Sequence, residues 1–140
     1  MARGPGPPQY YACAVRIRPP FERALRRSAT VALVAAVVLI LLLTLWPHDS
    51  PNRLSLSPFG DITFIGVIGN LLLFLPFGAA LCLRRWKLAA SVVAAFVFSV
   101  SIELTQLGVH GRTTSTDDVL FNTLGAAAGW ATVALLRARL

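Results

Sequence analysis

Four stretches of the chain are almost free of charge, and short polar or basic intervals separate them. Residues 28–48 carry no charge between Arg27 and Asp49, and residues 62–83 carry none between Asp61 and Arg84. Residues 88–107 hold Glu103 alone, and residues 119–136 lie between Asp118 and Arg137. A hydrocarbon core needs about 20 helical residues to cross it, so each stretch is long enough. A helix satisfies its own backbone in lipid, whereas barrel strands would be shorter and would alternate in polarity. The pattern therefore predicts an all-α integral membrane bundle of four transmembrane helices, at about residues 28–47, 62–83, 88–107 and 117–136. The first apolar run is long for a signal peptide. Trp46-Pro47-His48 follows it rather than a small-residue cleavage site, so it reads as an uncleaved anchor.

Composition agrees: 56% of the 140 residues are hydrophobic and 14% are charged, too apolar for a soluble globule of this length. The net charge of +7 would suit a nucleic-acid partner, but its placement speaks for topology. Eleven of the 13 basic residues precede the first stretch, fill the turn at Arg84, Arg85 and Lys87, or follow the fourth stretch. Arg53 and Arg112 alone fall in the other two loops. This asymmetry predicts that both termini are cytoplasmic, with no nucleic-acid partner. Residues 1–27, rich in Pro and Arg, are expected to form a largely disordered cytoplasmic tail, with a short interfacial helix over 21–27 at most. Residues 28–140 form the membrane domain. Cys13 and Cys82 fall on the same, reducing side and match no metal spacing.

Polar groups inside these stretches are the candidate chemistry, because a charge near the middle of a membrane helix costs about 2.5–3.5 kcal/mol. At ~1.5 Å rise per residue, Asn70 lies roughly 12 Å, Glu103 roughly 6 Å and Asn122 roughly 7 Å below the outer surface. Ser99, Glu103 and Gln106 share one helical face. Asp118, Asn122, Gly125 and Gly129 form a stripe on the fourth helix, and Gly66, Asn70, Phe74 and Gly78 form one on the second. The first helix offers only Thr30 and Thr44 and is expected to be a peripheral anchor. His110 and Arg112 sit in the loop above the layer.

Structural readings stand beside functional ones. Gly125 and Gly129 form a GxxxG, which suits helix packing within the chain or between protomers. Pro76 is expected to kink the second helix, as architecture or to open a cavity beside Asn70. Asn70 and Asn122 fit interhelical hydrogen bonding as well as ligand contact. Asp117 and Asp118 stand at a helix N-terminus, where one carboxylate is explained by capping. Glu103 is either an ion-pair partner of Arg112 or a functional acid or ligand contact.

In this order, the residues Asn70-Leu-Leu-Leu-Phe74-Leu-Pro76-Phe77-Gly78, Ser99-x-x-x-Glu103-x-x-Gln106, Gly111-Arg112 and Asp117-Asp118-x-x-x-Asn122-x-x-Gly125 resemble the VanZ-like family of small bacterial membrane proteins. Pro58-Phe59 also resembles a family feature, and the likeness runs over roughly residues 52–130. It implies a compact helical membrane domain in the cell membrane with Asn70, Glu103, Gln106, Arg112, Asp118 and Asn122 as signature positions. It also implies an association with low-level resistance to the glycopeptide teicoplanin. Many relatives carry an acidic residue three after the arginine, where this chain has Ser115.

Three classes of function follow. In the first, the polar layer binds or modifies an envelope component at the outer leaflet: a lipid head group, a lipid-linked wall precursor or a lipophilic glycopeptide. Arg112 suits a phosphate or carboxylate there. In the second, Glu103 with Asp117 or Asp118 is the acid/base pair of a membrane hydrolase or transferase. A metal version would enlist His110, but no HExxH, GxSxG or Cys/His cluster supports it, and no cofactor is expected. In the third, the chain is a structural or accessory subunit, alone or as a homo-oligomer. A transporter is disfavoured by four helices without an inverted repeat.

Overall fold

The computed structural model describes residues 19–47, 53–55, 63–109, 111 and 113–139. Its elements run α1 (Pro19–Leu45), β1 (Arg53–Ser55), α2 (Phe64–Leu83), α3 (Leu88–Gln106), β2 (Thr113–Ser115) and α4 (Thr116–Ala138). All four helices are long and apolar enough to cross a membrane. Their outward faces carry Val31, Leu42, Phe64, Leu72, Val93, Leu104 and Leu135, while Ser91, Ser99, Glu103, Gln106, Asp117 and Asn122 are buried. Apolar outside and polar within is the distribution that lipid, rather than water, rewards.

Helix α1 starts at Pro19, within the stretch expected to be a tail with a short helix over 21–27 at most. Proline is tolerated in the first turn, where its missing N–H has no intrahelical partner, so Pro19-Pro20 opens the helix rather than preventing it. Residues 1–18 lie outside the described residues. Helix α2 passes through Pro76 unbroken, with Pro76 exposed. Thr63 caps α2, its hydroxyl accepting from Gly66 N–H at 3.1 Å. At the other end Arg85 adopts φ 66°, Arg85 N–H donates to the Cys82 carbonyl and Trp86 N–H to the Leu81 carbonyl. This left-handed cap turns the chain tightly into α3.

Helices α2 and α4 form the closest pair, with α1 packed on α2 and α3 on α4. Three glycines permit this approach. A Cβ on Gly78 would lie 2.7 Å from Ala126 Cα, one on Gly125 2.9 Å from Leu71 Cα, and one on Gly129 2.8 Å from the Leu75 carbonyl carbon. The GxxxG face is thus turned inward, against α2. Phe74, Phe77 and Phe98 form an aromatic cluster with centroids 5.6–6.0 Å apart, beside Ile40, Leu81, Ala95, Ile102 and Ala126 in the core.

At the end of the bundle holding the start of α1 and the end of α4, Arg84 donates to the Thr30 hydroxyl, Trp130 Nε1 to the Trp86 carbonyl at 2.9 Å and Arg137 to the Cys82 carbonyl. At the opposite end β1 and β2 pair in parallel, Arg53 against Thr113 and Ser55 against Ser115. The helix-only expectation did not include this pair. Each strand is three residues long, too short for an alternating pattern, and its partner is distant in sequence. The pairing ties the α1–α2 connection to the start of α4. There Ser115 is the N-cap, its hydroxyl accepting from Asp117 N–H at 3.2 Å. Ser115→Ala is expected to lower stability by about 1 kcal/mol in detergent-titration unfolding, since an uncapped N-terminus loses that bond.

Candidate functional site

The sequence stripes on α2, α3 and α4 meet at the end of the bundle away from the start of α1 and the end of α4. They line a cavity of about 450 Å³. Asn70 comes from α2, Glu103 and Gln106 from α3, and Asp118 and Asn122 from α4. Gly66, Gly69, Leu73 and Ile102 complete much of its apolar wall. A Cβ on Gly69 would meet nothing within 4 Å, so this glycine leaves the space beside Asn70 open. The cavity lies beside the part of α2 that precedes Pro76.

Each polar lining residue is fixed by another helix or by the connecting segment. Asn70 Nδ2 donates to Asp118 Oδ1 at 2.5 Å and joins α2 to α4. Asn122 Nδ2 donates to Ser99 Oγ at 2.8 Å and joins α4 to α3. Glu103 Oε2 accepts from Ser115 N–H at 2.8 Å, so the carboxylate holds the segment that enters α4. The Thr114 hydroxyl also reaches the Glu103 carbonyl, at 3.4 Å. Gln106 Nε2 donates to the Thr44 carbonyl at 2.8 Å and joins α3 to α1.

That last bond corrects the expectation of a peripheral α1. Ala29, Ala36 and Ile40 of α1 are buried, and Leu43 and Thr44 line the cavity. Sequence reasoning missed this because Thr44 contributes its main-chain oxygen, which no side-chain pattern encodes, while its hydroxyl bonds back to the Ile40 carbonyl.

The two aspartates separate. Asp118 is half-buried and lines the cavity, whereas Asp117 is buried and is not among the lining residues. Neither supplies the cap side chain; Ser115 does, and both acids sit in the first turn, where the dipole favours them. The carboxylates that line the cavity together are Glu103 and Asp118. Gly111 also lines it, with φ 78° that glycine adopts without strain. His110, Arg112 and Pro58-Phe59 lie outside the described residues, and with them the Glu103–Arg112 ion pair. Among the described residues no three His, Cys, Asp or Glu side chains come together as a metal group.

The family model for VanZ/LLP1 matches residues 29–137, which takes in most of the four helices and every lining residue of the cavity. This chain belongs to the VanZ/LLP1 family. No curated protein and no solved structure matches it. The resemblance read from the sequence covered roughly residues 52–130, and the VanZ/LLP1 match extends it into α1, from residue 29. That extension suits the packing, because α1 closes one side of the cavity through Leu43 and Thr44. The chain is a VanZ-like multi-pass membrane protein, and Asn70, Glu103, Gln106, Asp118 and Asn122 of its resemblance line one cavity.

Proposed function

We infer that this VanZ/LLP1 protein binds a component of the cell envelope by taking its polar head group into the cavity between α2, α3 and α4. The observation that carries the reading is the buried polar lining itself. Glu103, Gln106 and Asn122 are each at least nine-tenths buried, yet all three border an open space large enough for a small ligand. The charge asymmetry supports cytoplasmic termini and an outward-facing cavity in the cell membrane. A lipid head group, a lipid-linked wall precursor or a lipophilic glycopeptide such as teicoplanin presents suitable polar groups at that depth. Arg112, next in sequence to the lining Gly111, suits the phosphate or carboxylate of such a ligand.

Glu103→Gln is the test. It keeps an acceptor for Ser115 N–H and removes the charge. Cells expressing it at the normal level are expected to lose any shift in teicoplanin susceptibility that the parent confers. Native mass spectrometry from mild detergent is expected to show loss of the co-purified ligand. Unchanged susceptibility and unchanged ligand retention would reject the reading.

The shared lining by Glu103 and Asp118 also favours a second reading, a membrane hydrolase or transferase that uses this pair for proton transfer. Turnover of a lipid-linked substrate, lost in both Glu103→Gln and Asp118→Asn, separates catalysis from binding. A purely structural subunit predicts instead that Asn122→Leu lowers abundance without any ligand phenotype.

A further inference from the structure

The cavity lining is exposed on one side only. Leu43 of α1 and Gly66 and Gly69 of α2 are exposed, whereas Ile102, Glu103, Gln106 and Asn122 of α3 and α4 are buried. Bordering the cavity does not by itself expose a residue, since Glu103, Gln106 and Asn122 border it at 6%, 5% and 2% exposure. Leu43, at 56%, is therefore open through its outward face. Helical spacing shows what that face meets. Leu43 shares a face with the exposed Leu39, Leu42 and Trp46, and Gly69 shares one with the exposed Ile65, Ile68 and Leu72. In a bilayer these apolar stripes lie against acyl chains. Gly69 also steps onto the cavity face with Gly66, Asn70 and Leu73, so it stands where the lipid face and the cavity face join.

The opening has a cause in the packing. At one end α1 meets the end of α2, where Arg84 donates to the Thr30 hydroxyl, but at the cavity end it bonds to α3, where Gln106 Nε2 donates to the Thr44 carbonyl. The first turns of α2 are left uncovered, with Phe64, Ile65 and Ile68 exposed. Gly69 widens the gap. A glycine inside a helix is disfavoured relative to alanine and calls for a packing or functional reason. Gly78, Gly125 and Gly129 have the packing reason, whereas a Cβ on Gly69 would meet nothing within 4 Å. At ~1.5 Å per residue Gly69 lies roughly 7.5 Å inside the start of α2, so the opening reaches below the surface into hydrocarbon.

We propose that the gap between α1 and α2 is a lateral portal, through which the head group of a membrane lipid enters the cavity while its hydrocarbon chain stays between Leu43 and Gly69. The proposal rests on the binding role inferred above and names the ligand class, an amphiphile with an acyl or prenyl chain, and its route. Such a chain remains among apolar groups throughout, and its head group reaches the polar lining without first leaving the membrane. A soluble polar ligand has no use for an apolar frame or for an opening at the depth of Gly69.

The test uses the full chain in nanodiscs of phosphatidylethanolamine, phosphatidylglycerol and a polyprenyl phosphate. A photo-reactive benzoylphenylalanine replaces Leu43 in one sample and Leu104 in another. Leu104 is exposed on α3 near the same end and is not a lining residue. The Leu43 sample is expected to give an adduct enriched in one of the three lipids, and Glu103→Gln is expected to reduce it by releasing the head group. The Leu104 sample is expected to give adducts in proportion to the bilayer, unchanged by Glu103→Gln. Gly69→Leu fills the gap and is expected to lower the lipid retained in native mass spectrometry about tenfold, the scale on which overpacking an occupied space acts. Leu43→Trp closes the gap from α1 and gives an independent readout where Gly69→Leu does not fold, while Leu104→Trp leaves retention at the parent level. Adducts in bulk proportion at Leu43, or retention that neither Gly69→Leu nor Leu43→Trp changes, would overturn the portal. If Glu103→Gln removes a co-purified ligand that carries no hydrocarbon chain, the portal fails alone. If Glu103→Gln changes neither retention nor adduct, the binding reading beneath it fails too.

Discussion

Gly129→Ala is expected to disrupt the α2–α4 pair more than any other single-methyl addition outside the glycines of this interface. The added Cβ would stand 2.8 Å from the Leu75 carbonyl carbon and 3.1 Å from Ala79 N. These are main-chain atoms, so no side chain can rotate away and the helices must separate. Overpacking of a tight core costs about 1–3 kcal/mol when side chains give way, and a backbone clash belongs at or above the top of that range. Gly78→Ala and Gly125→Ala meet Ala126 and Leu71 main-chain atoms in the same interface and are expected to behave alike. Gly69→Ala is the control, since its Cβ would enter open space. Membrane abundance and detergent-titration unfolding should rank Gly69→Ala close to the parent and the three interface variants far below it. Equal stability for Gly129→Ala and Gly69→Ala would show that α2 and α4 do not approach as described.

Glu103→Leu is expected to cost about 2–3 kcal/mol, close to the loss expected when a charge-assisted bond disappears and its partner is left unmet. Ser115 N–H loses its acceptor, and the entry to α4 loses its tether to α3. Glu103→Gln retains a carbonyl acceptor in the same place and is expected to stay within about 1 kcal/mol of the parent in the same unfolding measurement. The pair separates two roles of one side chain. A stable but ligand-free Glu103→Gln assigns the charge to binding, and the instability of Glu103→Leu assigns the hydrogen bond to architecture. A Glu103→Leu protein as stable as the parent would remove Glu103 from the architecture of this end.

The legibility of this fold in its sequence follows from the solvent it needs. Long uncharged runs have one economical arrangement in hydrocarbon, so helix number and type could be read directly, and α2 and α3 lie within two residues of the expected bounds. The start of α1 at Pro19 was not legible, because proline opposes a helix interior but not its first turn. Helical spacing of Ser99, Glu103 and Gln106, and of Asp118, Asn122 and Gly125, marked faces that are largely buried. Spacing within one helix carries no information about which neighbour that face meets.

The sequence by itself determined four apolar helices, the VanZ-like resemblance, and the polar positions that hydrocarbon would not leave idle. Only the tertiary structure decided that the glycines of α4 face α2, that Asp118 and not Asp117 borders the cavity, and that the Thr44 carbonyl of α1 orients Gln106. The physical reason is the range of the forces involved. The cost of placing a polar group in lipid belongs to each residue and is written into its identity. Which donor meets which acceptor depends on helices that are distant in sequence and close in space, and on main-chain atoms that every residue shares.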